Sequence, residues 1–139
     1  MPPISALIEL ARPSQWIKNG FVLLPLFFAH AMFVPSALRE ALLATAAFCL
    51  VASAVYAFND ARDAERDRRH PDKSQRPVAR GAVSVAAAYG LTCTLAVLGL
   101  LMAAFGGTDV AVVIGIYFAM QLAYSMGLKR FAWLDVTIV

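Results

Sequence analysis

The charges of this 139-residue chain crowd into one short window, and that placement restricts its fold more than any other feature. Of its 21 charged residues, twelve basic and nine acidic, twelve fall between Asp60 and Arg80. No charge occurs from Ala41 to Asn59, from Gly81 to Thr108 or from Val110 to Leu128, and only Pro25, His30 and Pro35 interrupt the run from Asn19 to Leu38. Each run approaches or exceeds the roughly 20 residues that a helix needs to cross a hydrocarbon core. Lipid offers backbone N–H and C=O groups no partners, so the crossings must be helical. The expected fold is all-α: an integral membrane helical bundle of about four transmembrane helices, near 20–38, 41–58, 83–105 and 110–128. They form a single membrane domain over 1–139 with a charged loop at 59–82. A buried core helix is the alternative for any one run. Four such runs in a chain with only 15% charged residues, against about a quarter in soluble domains, argue against it.

Orientation follows from the basic residues. Four crossings put residues 1–19, the 59–82 loop and the stretch after 128 on one side, which then holds eleven of the twelve Lys and Arg residues; Arg39 alone lies opposite. The expected location is the cell (inner or plasma) membrane, multi-pass, with the charged loop cytoplasmic. Trp16 and Trp133 fall at that boundary, as an aromatic belt would. Topology also accounts for the net charge of +3, and five acids are mixed with the loop cations, so nucleic acid is not an expected partner. No signal peptide is expected, because the first apolar run lacks a small-residue cleavage pattern after it. Cys49 and Cys93 lie within apolar runs as packing residues, not as a disulfide or metal framework.

The chemistry concentrates in Asn59-Asp60-Ala61-Arg62-Asp63-Ala64-Glu65-Arg66-Asp67, which leaves the second apolar run with no helix breaker before Pro71. A continuing helix puts Asp60, Asp63 and Asp67 at i, i+3 and i+7, on one face. Like charges so placed repel unless something cationic binds among them. Magnesium (Mg2+) suits such a face: it takes oxygen ligands, few carboxylates, and completes its shell with water and substrate phosphates. Asn59 adds an amide at the same depth. The alternative is a solvated helix end, with Glu65–Arg69 and Arg62–Arg66 facing water. The loop that follows, from His70 to Gly81, carries two prolines and a closing glycine and returns to the third run. Lys73, Arg76 and Arg80 bring cations toward the carboxylates, which fits a ligand more negative than one metal ion can neutralise, such as a diphosphate. Anchoring to lipid headgroups is the alternative for these cations, most of all for Arg80.

These residues resemble a known family. Asn59-Asp60-x-x-Asp63-x-x-x-Asp67, with the Arg76-Pro77-x-Ala79-x-Gly81 return, is similar to the first aspartate-rich motif and loop of the UbiA superfamily of intramembrane prenyltransferases. The resemblance extends to Arg12-Pro13-Ser14-Gln15-Trp16-x-Lys18-Asn19 and to Tyr124-Ser125-x-x-Leu128-Lys129-Arg130. Within the superfamily, His70-Pro71-x-Lys73-x-x-Arg76-Pro77 resembles the decaprenyl-phosphate phosphoribosyltransferase branch.

That resemblance implies transfer of a phosphoribosyl group from phosphoribosyl diphosphate to a polyprenyl (decaprenyl) phosphate, releasing pyrophosphate and feeding arabinose donors of the cell wall. It implies magnesium on Asp60, Asp63 and Asp67, phosphate contacts from Asn59, Lys73 and Arg76, and Lys18, Lys129 or Arg130 near the lipid headgroup. Tyr124 would bond a phosphate or order the pocket. In other branches the same face activates a prenyl diphosphate for an aromatic acceptor. Family members are about twice this length, with about nine spans and a second aspartate motif. Val136–Val139 looks like the opening of a fifth span, so the chain is expected to be an N-terminal half whose partner is a complementary C-terminal half. A catalytically silent membrane subunit is the other expectation. Of the remaining polar residues, His30 is expected to be satisfied by packing within the first span, Asp109 to cap a helix, and Asp135 is unassigned.

Overall fold

A computed structural model describes residues 2–127. Every regular element among them is helical: α1 (Ile4–Ala11), a 3₁₀ helix (Pro13–Leu23), α2 (Leu24–Phe28), α3 (Pro35–Asp67), a short 3₁₀ turn (Lys73–Gln75), α4 (Val85–Gly106) and α5 (Thr108–Met126). Helices α3, α4 and α5 are each long and apolar enough to cross a membrane.

Helix α3 begins where Pro35, whose fixed φ suits the first turn, follows the extended Val34. Its 33 residues rise about 50 Å, well beyond a hydrocarbon core of about 30 Å. The helix therefore carries its charged end out of the apolar zone without a break, as the sequence predicts. Helix α4 is started by Ser84, whose hydroxyl accepts the Ala87 N–H. Its buried face is a row of small residues, Ala88, Thr92, Ala96, Gly99, Ala103 and Gly106, at helical spacing. Small side chains let two backbones approach closely, and this row lies along α3, where Gly99 meets Val51 and the Ala47 carbonyl. Ala47, Val51, Ala103 and Ile114 form a core shared by α3, α4 and α5. A second core, at the charged end, packs Ala6 and Leu10 of α1 against Ala57, Ala61 and Ala64 of α3, Val78 and Val83 of the loop, and Ala88 of α4. Outside these cores the long helices expose large apolar side chains, among them Val97, Leu101 and Phe105 of α4 and Val113 and Ile116 of α5. Faces of this kind suit lipid or further helices rather than water.

The first expected crossing, 20–38, is not one helix. The 3₁₀ helix runs directly into α2, which stops at Phe28, and the chain turns through His30, whose φ of 52° is left-handed, before Pro35 opens α3. Pro25 and Pro35 each stand in the first turn of an α-helix, α2 and α3, where a missing N–H costs no helical hydrogen bond. His30 accordingly sits exposed in a turn, not packed within a span. The helical stretch actually lies earlier and runs antiparallel to α3: Arg12 reaches Asp60, Trp16 Nε1 donates to Ser53 Oγ at 2.9 Å, and Asn19 Nδ2 reaches Cys49 Sγ at 3.3 Å. Trp16 thus ties this segment to α3 as well as marking a boundary; Trp133, Asp135 and Val136–Val139 lie outside the described residues. Asp109 is not a cap either. Gly107 holds that position and Asp109 sits in the first turn of α5, where a negative charge complements the helix dipole.

Candidate diphosphate site

A cavity of about 240 Å³ opens at the charged end of the bundle. Four residues of α3 form one wall: Tyr56, Asn59, Asp60 and Asp63. Three cations face them, Arg12 from the start of the 3₁₀ helix and Lys73 and Arg76 from the loop, while Tyr124 and Ser125 close the space from α5. Polar groups from four chain segments thus converge on a space large enough for several water-sized oxygens.

Asp60 is the electrostatic centre. It is 2% exposed, and its Oδ1 accepts from Arg12 Nη2 at 2.8 Å and from Arg76 Nη1 at 3.2 Å. An ionised carboxylate at that depth costs several kcal/mol unless it is paired, and two guanidinium groups supply the pairing. Its other oxygen, Oδ2, is buried and has no hydrogen-bond partner among the described residues. Arg12 also lies over the Tyr56 ring, 5.0 Å from its centroid. Its backbone is left-handed, with φ 53°, although a proline follows. A non-glycine residue held there is strained by about 1–3 kcal/mol and persists only where its surroundings fix it; here the ion pair and the ring do so.

Asp67 lies behind the cavity wall. It is 1% exposed and its Oδ2 accepts from Arg76 Nη1 at 2.8 Å. Asp63 pairs with Arg66 Nη2 at 2.7 Å and keeps an edge on the cavity. The expected single face of three aspartates is present as a helical stripe, yet among the described residues no three acidic, His or Cys side chains come close enough to share one ion. A guanidinium, not a gap, lies between Asp60 and Asp67. Asp60, Asp63 and Asn59 line the cavity with oxygen donors of the kind magnesium takes, and such an ion, which needs only one or two carboxylates when phosphates and water complete its shell, would be held by fewer carboxylates than the stripe carries.

Around the site, several cations serve the fold. Arg80, for which headgroup anchoring was the alternative, makes a two-pronged pair with Glu9, at 2.9 and 2.7 Å, and bonds the Gln75 carbonyl. That bond holds the exposed Glu9 carboxyl below its usual range. Arg62 does more than face water, which was the alternative for this helix end: it donates to the carbonyls of Ser125 and Met126, capping the end of α5 from α3. Arg68 bonds the Ala79 carbonyl at 3.2 Å and so fixes the loop's return. Glu65 and Arg69 form an exposed pair at 4.0 Å, as the solvated-end alternative has them.

Of the residues singled out from sequence, Asn59, Asp60, Asp63, Lys73, Arg76 and Tyr124 line the cavity, and Asp67 joins it through Arg76. Lys18 does not: it is exposed on the 3₁₀ helix. Lys129 and Arg130 lie outside the described residues. Arg12, Tyr56 and Ser125 are lining residues that sequence reasoning did not assign. Tyr56 carried a usable signal, since it stands one turn before Asp60 on the same stripe.

Comparison with known proteins accords with this geometry. Residues 20–139 match the UbiA prenyltransferase family. The chain is 43% identical over 137 residues to the decaprenyl-phosphate phosphoribosyltransferase of Corynebacterium glutamicum, a match that covers 96% of this chain and 41% of the relative. The protein of the same name from Mycolicibacterium smegmatis is 42% identical over 140 residues, 98% of this chain and 44% of the relative. That of Mycobacterium tuberculosis is 39% identical over 140 residues, 98% and 46%. The chain thus spans a little under half the length of these relatives. With the family matched over most of the chain and three membrane-length helices in the bundle, the chain belongs to the UbiA prenyltransferase family.

Proposed function

We propose that this chain carries the diphosphate-binding face of a membrane transferase that moves a phosphoribosyl group from phosphoribosyl diphosphate to a polyprenyl phosphate. The observation that carries the reading is the cavity itself, whose lining opposes two carboxylates and an amide on α3 to three cations. Counting Asp67 behind the wall, the acids and cations of the cluster balance. A diphosphate entering such a site brings charge that one more cation must offset. Magnesium, held by Asp60 and Asp63 with Asn59 beside them, would supply that charge and polarise the phosphate oxygens.

The protein's own groups do the rest. Arg76 and Arg12 present guanidinium forks, and Lys73 an ammonium, toward the oxygens of the leaving diphosphate, which gains negative charge as the bond from sugar C1 to oxygen breaks. Tyr56 and Tyr124 line the same space. The acceptor phosphate attacks C1 from the bilayer side, and its headgroup is the natural partner of Lys18, and of Lys129 and Arg130. The charged end faces the cytoplasm in this reading, at the cell membrane, and the product would serve arabinose donors of cell-wall polysaccharide. A complementary C-terminal half would supply the opposite wall. The names of the relatives support a phosphoribosyl rather than a prenyl donor.

The test supplies membranes carrying the protein with polyprenyl phosphate and phosphoribosyl diphosphate, or with an aromatic acceptor and prenyl diphosphates. Pyrophosphate release with the first pair alone is expected. Release only with prenyl donors overturns the donor assignment, and release with neither favours a silent membrane subunit.

A further inference from the structure

Helical spacing alone makes Asp67 a third metal ligand, but its surroundings describe a different task. It is 1% exposed and absent from the cavity lining, and its Oδ2 is engaged by Arg76 Nη1 at 2.8 Å. The same Nη1 reaches Asp60 Oδ1 at 3.2 Å. One guanidinium nitrogen is therefore held between two buried carboxylates that stand two helical turns apart on α3. Arg76 arrives with its backbone extended, φ −60° and ψ 145°, as the following Pro77 favours. Its side chain is 28% exposed and lines the cavity. Both ion pairs use Nη1, so Nη2 and Nε retain the planar donor geometry that grips phosphate oxygens.

We propose that Asp67 is a positioning residue that acts through Arg76: with Asp60 it fixes the guanidinium at the cavity wall for a diphosphate, and it does not ligate the metal. The inference rests on the diphosphate reading above. Of the three aspartates, metal affinity then depends on Asp60 and Asp63 and not on Asp67, and diphosphate affinity depends on the Asp67–Arg76 pair, whose carboxylate is buried.

The test uses the protein at its full coding length in detergent, with Mn2+ as the metal probe, followed by electron paramagnetic resonance, and inorganic pyrophosphate as the anion probe, followed by calorimetry in saturating Mg2+. Asp67→Asn is expected to leave Mn2+ affinity within about twofold and to weaken pyrophosphate roughly tenfold, the scale of one hydrogen bond to a charged group. Arg76→Gln should weaken pyrophosphate similarly, and the double variant should bind no worse than Arg76→Gln alone, because both changes remove the same contact. Asp63→Asn should instead weaken Mn2+. Mn2+ affinity falling in Asp67→Asn as far as in Asp63→Asn would overturn the inference, as would losses that add in the double variant. Should Asp67→Asn fail to fold, Arg76→Lys keeps the charge without the fork; weaker pyrophosphate with unchanged Mn2+ supports the inference, and lost Mn2+ binding overturns it. A parent protein that binds neither probe overturns the diphosphate reading and this inference together, an outcome distinct from the others.

Discussion

Asp60 and Asp67 show how far a helical stripe can be read from spacing and where such reading stops. The i, i+3, i+7 pattern of the three aspartates is fixed by helix geometry, and a cation among them follows from Coulomb repulsion. Which cation is a tertiary matter. Arg76, nine residues beyond Asp67, and Arg12, 48 residues before Asp60, reach the carboxylates only because the loop and the 3₁₀ helix fold back onto α3. Nothing local in Arg12-Pro13 announces that contact. The pair of Glu9 and Arg80, 71 residues apart, is equally silent in sequence, and it pins α1 to the loop. Its bond to Arg80 lowers the Glu9 pKa, so its contribution is fully present above the carboxyl's unfolded value and is lost as pH falls through the lowered folded value. Comparing unfolding midpoints of the parent and Glu9→Gln in detergent should show a difference at neutral pH that disappears in acid; a difference that persists in acid would assign the effect to packing.

At the scale of elements, the α3–α4 seam carries the architecture. A Cβ on Gly99 would stand 2.7 Å from Val51 Cγ2 and 3.1 Å from the Ala47 carbonyl oxygen. Gly99→Leu is therefore expected to destabilise the bundle by about 1–3 kcal/mol through overpacking, while Gly115→Leu, which meets nothing within 4 Å, should be tolerated. Thermal unfolding of both variants in detergent checks this, and equal behaviour would show that the seam can yield. The long helices were legible because an unbroken apolar run admits few other structures in lipid. The first expected crossing was not, because an apolar count over 20–38 gives too little weight to Pro25 and Pro35, and because Trp16 and Asn19, polar enough to suggest a boundary, are used instead to bond Ser53 and Cys49 along α3. The tie from Arg62 to the end of α5 was also hidden, since an arginine in a charged run gives no sign of a carbonyl cap on another helix.

For the molecule as a whole, the uneven distribution of charge that first indicated a membrane bundle also marks the end where the polar cavity opens. Apolar rows on α4 and α5 leave faces for lipid or for further helices, in keeping with relatives of which this chain spans a little under half. At the charged end, α3 overshoots the apolar zone, α1 and the loop cover it, and the cavity is left between acids and cations. The central claim is that this cavity holds the leaving diphosphate of a transferase. Its most direct test is magnesium-dependent pyrophosphate release from phosphoribosyl diphosphate, measured in membranes with matched amounts of the parent protein or its Asp63→Ala variant. The account predicts a loss of about a hundredfold or more; release by the variant at the parental rate would contradict it.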